Sequence, residues 1–113
     1  MAESQIRLNE ERAALAQKLG ELSPVALHLK NSVDEAYKEG ALSSKTKRLM
    51  ALAIALGVGC ENCELGQAMY ALDAGATKEE ILETIGVVMS IRGTTGVAES
   101  LKIIQLLDEL GKL

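Results

Sequence analysis

Apolar residues along this chain recur every three or four positions, the period of an α-helix, and no segment alternates convincingly enough to form a strand. The first such segment covers about Glu3 to Leu19 and is expected to stop at Gly20. Its apolar face of Ile6, Leu8, Ala13, Leu15 and Leu19 is loose, which suggests a peripheral helix. Ser23-Pro24 reads as a cap followed by proline at the first helical position. The helix it opens carries Val25, Leu29, Val33 and Tyr37 on one face and should end at Gly40. A third helix follows Ser43-Ser44 and runs to Gly57. Leu49, Leu52, Ala53 and Leu56 form one stripe and Met50, Ile54 and Val58 another, so it is apolar all round and expected to be central.

A fourth helix starts near Cys60 and ends at Asp73-Ala74-Gly75, and Thr77-Lys78-Glu79-Glu80 then has the pattern of a capping box. The fifth helix presents Ile81, Ile85, Val88 and Met89. After a break over Arg92-Gly93-Thr94-Thr95-Gly96, the sixth presents Leu101, Ile104 and Leu107, with Glu99, Lys102 and Asp108 placed toward water. The pattern therefore predicts an all-α fold of about six helices. With no linker, repeat or low-complexity stretch, residues 1–113 read as a single domain, in which 1–22 form a peripheral helix and 42–91 the motif-bearing region.

Composition sharpens this picture. Among 113 residues, 48% are hydrophobic, yet there is no Phe, no Trp and only two Tyr, so the core has to be built from Leu, Ile, Val, Ala and Met. Met50, Met69 and Met89 read as flexible core filler, Met69 and Tyr70 also being placed to line a pocket beside the cysteines. A formal net charge of −4 with both signs interspersed offers no basic face for a phosphate backbone, and the scarcity of aromatics removes stacking platforms, so nucleic acid is not an expected partner. The longest apolar run, Leu49 to Cys60, falls well short of the roughly 20 residues a membrane span needs, and Met1-Ala-Glu-Ser-Gln lacks a signal-peptide pattern. A cytoplasmic protein without a membrane partner is expected.

In a reducing compartment, Cys60-Glu61-Asn62-Cys63 is better read as catalytic or metal-binding than as a structural staple. Structural zinc wants four ligands, whereas this chain offers two thiols together and one distant histidine, His28; neither a metal nor another cofactor is expected. Cys60 falls at or before the first turn of the fourth helix and Cys63 one turn on, so their sulfurs can meet, with some bending of that turn. Unpaired N–H groups and the helix dipole favour a thiolate there, the reactive form of cysteine. Glu61 and Glu64 oppose it. Glu64 lies four residues after Cys60 on the same face, where it either raises that thiol's pKa or accepts its proton. The remaining alternative is a pair of buried, inert cysteines.

The run from Leu42 through Lys45-Thr46-Lys47-Arg48-Leu49-Met50-Ala51-Leu52-Ala53 and Gly59-Cys60-Glu61-Asn62-Cys63 to Ala71-Leu72-Asp73-Ala74-Gly75-Ala76-Thr77-Lys78-Glu79-Glu80-Ile81 resembles the carboxymuconolactone decarboxylase family. Its cysteines resemble the alkyl hydroperoxidase D-like branch in particular. The resemblance implies an all-helical bundle assembled into trimers or hexamers, with the cysteine helix near a subunit boundary. It also implies thiol–disulfide chemistry: Cys63 attacks peroxide and becomes a sulfenic acid, Cys60 resolves it as a disulfide, and the pair then exchanges with a partner protein or small thiol. The implied substrates are a disulfide first and a small hydroperoxide second.

Two positions depart from the family pattern. Its histidine four residues after the second cysteine falls on Gln67, and its relay glutamate twelve residues before the first falls on Arg48. No Asp or Glu occurs from Ala41 to Gly59, so a shifted alignment supplies no acid. Gln67 cannot take a proton and Arg48 is permanently charged; neither is a general base. Arg48 is expected either to hold a thiolate electrostatically or to be a solvated charge. His28, at the margin of an apolar stripe, is a packed histidine or a base supplied from another helix or subunit. The Lys45-Lys47-Arg48 cluster reads as a solvated helix start, with anion binding as the lesser alternative. Gly93-Thr94-Thr95-Gly96 reads as a tight turn before a phosphate loop. Gly66, inside a helix, suggests close packing or substrate approach. Rival functions are lactone decarboxylation, which leaves the cysteines unexplained, and a non-catalytic oligomeric binding module of the same fold.

Overall fold

The computed structural model describes residues 3–113. Six helices follow one another: α1 (Gln5–Leu22), α2 (Pro24–Ala36), α3 (Ser44–Val58), α4 (Glu61–Asp73), α5 (Lys78–Arg92) and α6 (Thr94–Glu109), with no strand among the described residues. Side-chain caps start most of them where the sequence places Ser or Thr. Ser23 accepts from the Ala26 N–H, Ser43 from that of Thr46, and Thr77 from that of Glu80, whose carboxylate closes the capping box on the Thr77 N–H at 2.9 Å.

The core lies where α3, α4, α5 and α6 meet. Leu52 and Leu56 from α3, Leu65 from α4, Ile81 from α5 and Ile103, Leu106 and Leu107 from α6 are fully buried, and alanines fill the spaces between them. Gly96 lets α5 and α6 approach: a β-carbon there would stand 3.3 Å from Met89 Cα and 3.3 Å from Arg92 Cβ. Helix α1 is tied down at its start by α6. Glu109 accepts from the backbone N–H of Gln5 at 2.7 Å and from the Ser4 hydroxyl at 2.6 Å, which holds its carboxyl below the usual range.

Several boundaries differ from the sequence expectation. Helix α1 runs through Gly20, because Ser23 both ends it and caps α2. Helix α2 stops at Ala36, before Gly40, and the break before α6 shrinks to Gly93. Helix α3 is central through Leu52, Ala55 and Leu56, with Leu49 and Ala53 partly buried against the same core; its second stripe of Met50, Ile54 and Val58 is exposed, as are Val25, Leu29 and Val33 on α2. Met50 and Met89 are consequently not core filler, whereas Met69 packs against the core. Leu101 is exposed, while Glu99 and Lys102 turn inward rather than toward water.

Candidate functional site

The turn between α3 and α4 sets the geometry of the cysteines. Gly59 adopts a left-handed backbone (φ 75°) that ends α3, a conformation glycine takes without steric cost. The N–H of Cys60 still donates to the Ala55 carbonyl at 3.0 Å, while its own carbonyl accepts the Glu64 N–H at 2.9 Å. Cys60 is thus the N-cap of α4, with ψ 90°, and Cys63 is the third helical residue. The bridge therefore joins the cap residue, outside the helix, to the first turn of α4. The two sulfurs form a disulfide, with the α-carbons 5.2 Å apart, inside the range a disulfide spans. Cys63 is exposed and Cys60 half-buried, so both are reachable from solvent.

A shallow cleft of about 200 Å³ borders the bridge, lined by Tyr37, Ala51, Ile54, Ala55, Val58, Cys60, Cys63 and Gln67. A second, of about 300 Å³, lies between α1 and α4 and is lined by Asn9, Arg12, Asn62, Gly66, Met69 and Tyr70 among others. Gly66 accordingly faces open space: a β-carbon there would meet only Asn9 Oδ1, at 4.0 Å, so close packing does not account for the small residue.

The residues at the family's relay positions touch one another. Arg48 donates to Gln67 Oε1 at 3.2 Å, and its guanidinium lies 3.5 Å from the Tyr37 ring centroid and 4.2 Å from that of Tyr70. Such stacking on two rings holds a cation that would otherwise be solvated. Arg48 is therefore not a free surface charge. Its neighbours are engaged elsewhere: Lys45 pairs with Glu80 at 3.0 Å and Lys47 donates to the Lys38 carbonyl at 2.6 Å. His28 is exposed on α2 and does not line the cysteine cleft.

Beneath the cysteine turn lies a charge cluster that the sequence reading missed. Glu64 has no exposed side-chain surface; Lys102 of α6 reaches it at 2.8 Å, and also stands 3.0 Å from Glu99 and 4.0 Å from Glu61. Arg92 approaches Glu99 at 3.4 Å and donates to the Leu56 carbonyl at 2.7 Å, at the end of α3. Neither Glu64 oxygen has a well-aligned hydrogen bond despite the close ammonium. Burial, reinforced by the neighbouring Glu99 carboxyl, outweighs the attraction of Lys102 and pushes the Glu64 carboxyl up to about 7. Glu99, beside the largely protonated Glu64 carboxyl and hydrogen-bonded by Lys102, is held below the ordinary range. The five side chains bolt the first turn of α4 to α6. The only sequence hint was the position of Glu64 on an otherwise apolar face.

A cysteine pair at the open end of a helix within a six-helix bundle is the arrangement anticipated from the motif, and the model of the carboxymuconolactone decarboxylase family matches residues 24–106. The chain belongs to the carboxymuconolactone decarboxylase family. Its similarity to other members is distributed over most of its length. A Paracoccus denitrificans protein known as uncharacterized protein 4 in the cox locus is 34% identical over 87 residues, covering 70% of this chain and 78% of its own. An uncharacterized Cupriavidus necator protein is 30% identical over 93 residues, covering 81% of this chain and 82% of its own. Among solved structures, a family member from Legionella pneumophila superposes with a TM-score of 0.85 at 25% identity, covering 96% of this chain and 97% of its own. A Thermotoga maritima member reaches 0.74 at 23% identity, covering 92% and 94%. Among the described residues, no helix is long and apolar enough to cross a membrane, and no group of three or more His, Cys, Asp or Glu is placed to hold a metal ion.

Proposed function

We propose that this protein is a thiol–disulfide oxidoreductase of the alkyl hydroperoxidase D-like type, acting in the cytoplasm through Cys60 and Cys63. The observation that carries the reading is the disulfide at the open N-terminus of α4, with the Cys63 side solvent-exposed and a cleft alongside. In the reduced pair, the Cys63 thiolate attacks a disulfide substrate, forming a mixed disulfide and releasing one thiolate that takes a proton from water. Cys60 then attacks the Cys63 sulfur, closing the bridge and releasing the second thiol. The substrate gains two electrons and two protons, and the pair loses them. With a hydroperoxide, the Cys63 thiolate takes the distal oxygen with its proton as a sulfenic acid, and the departing alkoxide takes a proton from water to become an alcohol. Condensation with the Cys60 thiol then gives the disulfide and water. An external thiol or dithiol restores the reduced pair.

Cys63 is the better nucleophile of the two on position: it is the exposed one, and it lies in the first turn of α4, where the helix dipole favours its thiolate. The pairing of Glu64 with Lys102 offsets the nearest buried negative charge. An antioxidative role has been suggested for the Thermotoga maritima family member, which accords with this chemistry. The exposed Met50, Ile54, Val58, Ile91 and Leu101 also support self-association into the trimer or hexamer expected of the family, with a sedimentation mass that is a multiple of 12.0 kDa; a monomer would contradict this.

Turnover tests the proposal. With dithiothreitol as reductant, catalytic amounts of the protein should accelerate reduction of bis(2-hydroxyethyl) disulfide well above the uncatalysed rate, and reduction of cumene hydroperoxide by a smaller factor. Absence of both accelerations would favour a binding module that keeps the fold alone.

A further inference from the structure

We infer that the cleft beside the disulfide selects small substrates that carry a carboxylate, with Arg48 and Gln67 as the selecting pair. This inference rests on the redox reading above and specifies its substrate class. Arginine lacks a hydrogen-bond acceptor, so the Arg48–Gln67 contact at 3.2 Å fixes which way the Gln67 amide points: its oxygen is turned to Arg48 and its NH2 is left as a donor. That NH2 has no hydrogen-bond partner among the described residues, and Gln67 lines the cleft next to Cys63.

The positive charge behind it is uncompensated. No carboxylate among the described residues lies within ion-pair distance of Arg48, whereas Lys45 and Arg92 each have one and Lys102 has three. Between Tyr37 and Tyr70 the guanidinium is held in place instead of sweeping through solvent. A donor amide backed by a fixed cation is suited to an anion, and the rest of the cleft is apolar, lined by Ala51, Ile54, Ala55 and Val58 with the Tyr37 ring. The complementary ligand has a short aliphatic body, a disulfide or peroxide at the sulfur end, and a carboxylate at the Gln67 end.

A series of disulfides differing only in end group tests this: 3,3′-dithiodipropionate (anionic), bis(2-hydroxyethyl) disulfide (neutral) and cystamine (cationic). Their rates of oxidising the reduced pair are compared at low salt and normalised to each reagent's rate with free dithiothreitol. The chain's net charge of −4 and the exposed Glu61 beside Cys63 would by themselves favour cystamine, so a preference for the anion has to be local. We expect the anionic reagent to lead the neutral one by about tenfold, the factor one partly buried charge pair supplies. Arg48→Met should erase that ratio and Arg48→Lys should keep part of it. Equal normalised rates, or a lead for cystamine, would overturn the inference while leaving thiol–disulfide exchange intact. If none of the three oxidises the pair, the redox reading falls and this inference with it.

Discussion

Lys102→Met should destabilise the fold by about 3 kcal/mol near pH 8 and by only about 1 kcal/mol near pH 5, read from urea unfolding at a fixed protein concentration. Methionine preserves the stem of the side chain and removes the ammonium, which stands 2.8 Å from Glu64 and 3.0 Å from Glu99. Once it is gone, an ionised Glu64 with no exposed surface has lost its nearest cation, the situation in which breaking a buried pair costs most.

The pH dependence follows from protonation. The Glu64 carboxyl is raised from 4.5 to about 7 on folding, so between those values the folded chain holds a proton that the unfolded chain has released. Stability therefore falls as pH rises through that window and levels off above it. In Lys102→Met the folded carboxyl rises further, the decline continues to higher pH, and the gap between variant and parent widens. If Lys102 were an ordinary surface lysine, the loss would stay within about 0.5 kcal/mol at both pH values.

That cluster also shows where the sequence stops being informative. Glu99 and Lys102 lie three residues apart on an amphipathic helix, and helical polarity alone assigns them to the water side. Their inward turn depends on Glu64, which sits on another helix far away in the chain. The tie of Glu109 to the start of α1 is invisible for the same reason. By contrast, the Leu52 and Leu56 stripe and the Thr77 capping box are local devices, and each lies where its spacing places it. The cysteine turn was legible in part: the C-x-x-C marks the start of α4, but the apolar pattern ends the preceding helix at Gly57, whereas the left-handed cap is Gly59. Apolar periodicity overstated burial for Val25, Leu29, Ile54 and Leu101, because a helical stripe identifies an apolar face without saying whether the same chain covers it. Arg48 and Gln67 were recognised as substitutions of a proton relay; their contact, and the two tyrosine rings around Arg48, needed the coordinates.

The second large effect concerns the cysteines individually. Cys63→Ser should lower disulfide reductase turnover by at least about 100-fold, because the hydroxyl that replaces the exposed thiol is not ionised at neutral pH and cannot attack a disulfide. Cys60→Ser should lose turnover to a similar degree while retaining the first half-reaction. With no second thiol to resolve it, the mixed disulfide at Cys63 accumulates and is visible as one added substrate thiol in the intact mass. The exposures make this asymmetry specific: Cys63 is open to solvent and Cys60 is half-buried at the N-cap of α4. Accumulation on Cys63→Ser instead would reverse the assigned order of attack. Neither replacement touches the Glu64–Lys102 pair, so circular dichroism should report an intact helical fold in both variants.

The most direct measurement is a redox titration of the parent protein in glutathione buffers of graded ratio, with acid quenching, alkylation and intact mass. The account predicts a single two-electron transition in which Cys60 and Cys63 pass together between a doubly alkylated and an unalkylated form, with the same midpoint approached from either direction. Two thiols that stay fully alkylatable across the whole range, or a bridge that no glutathione ratio opens, would contradict it.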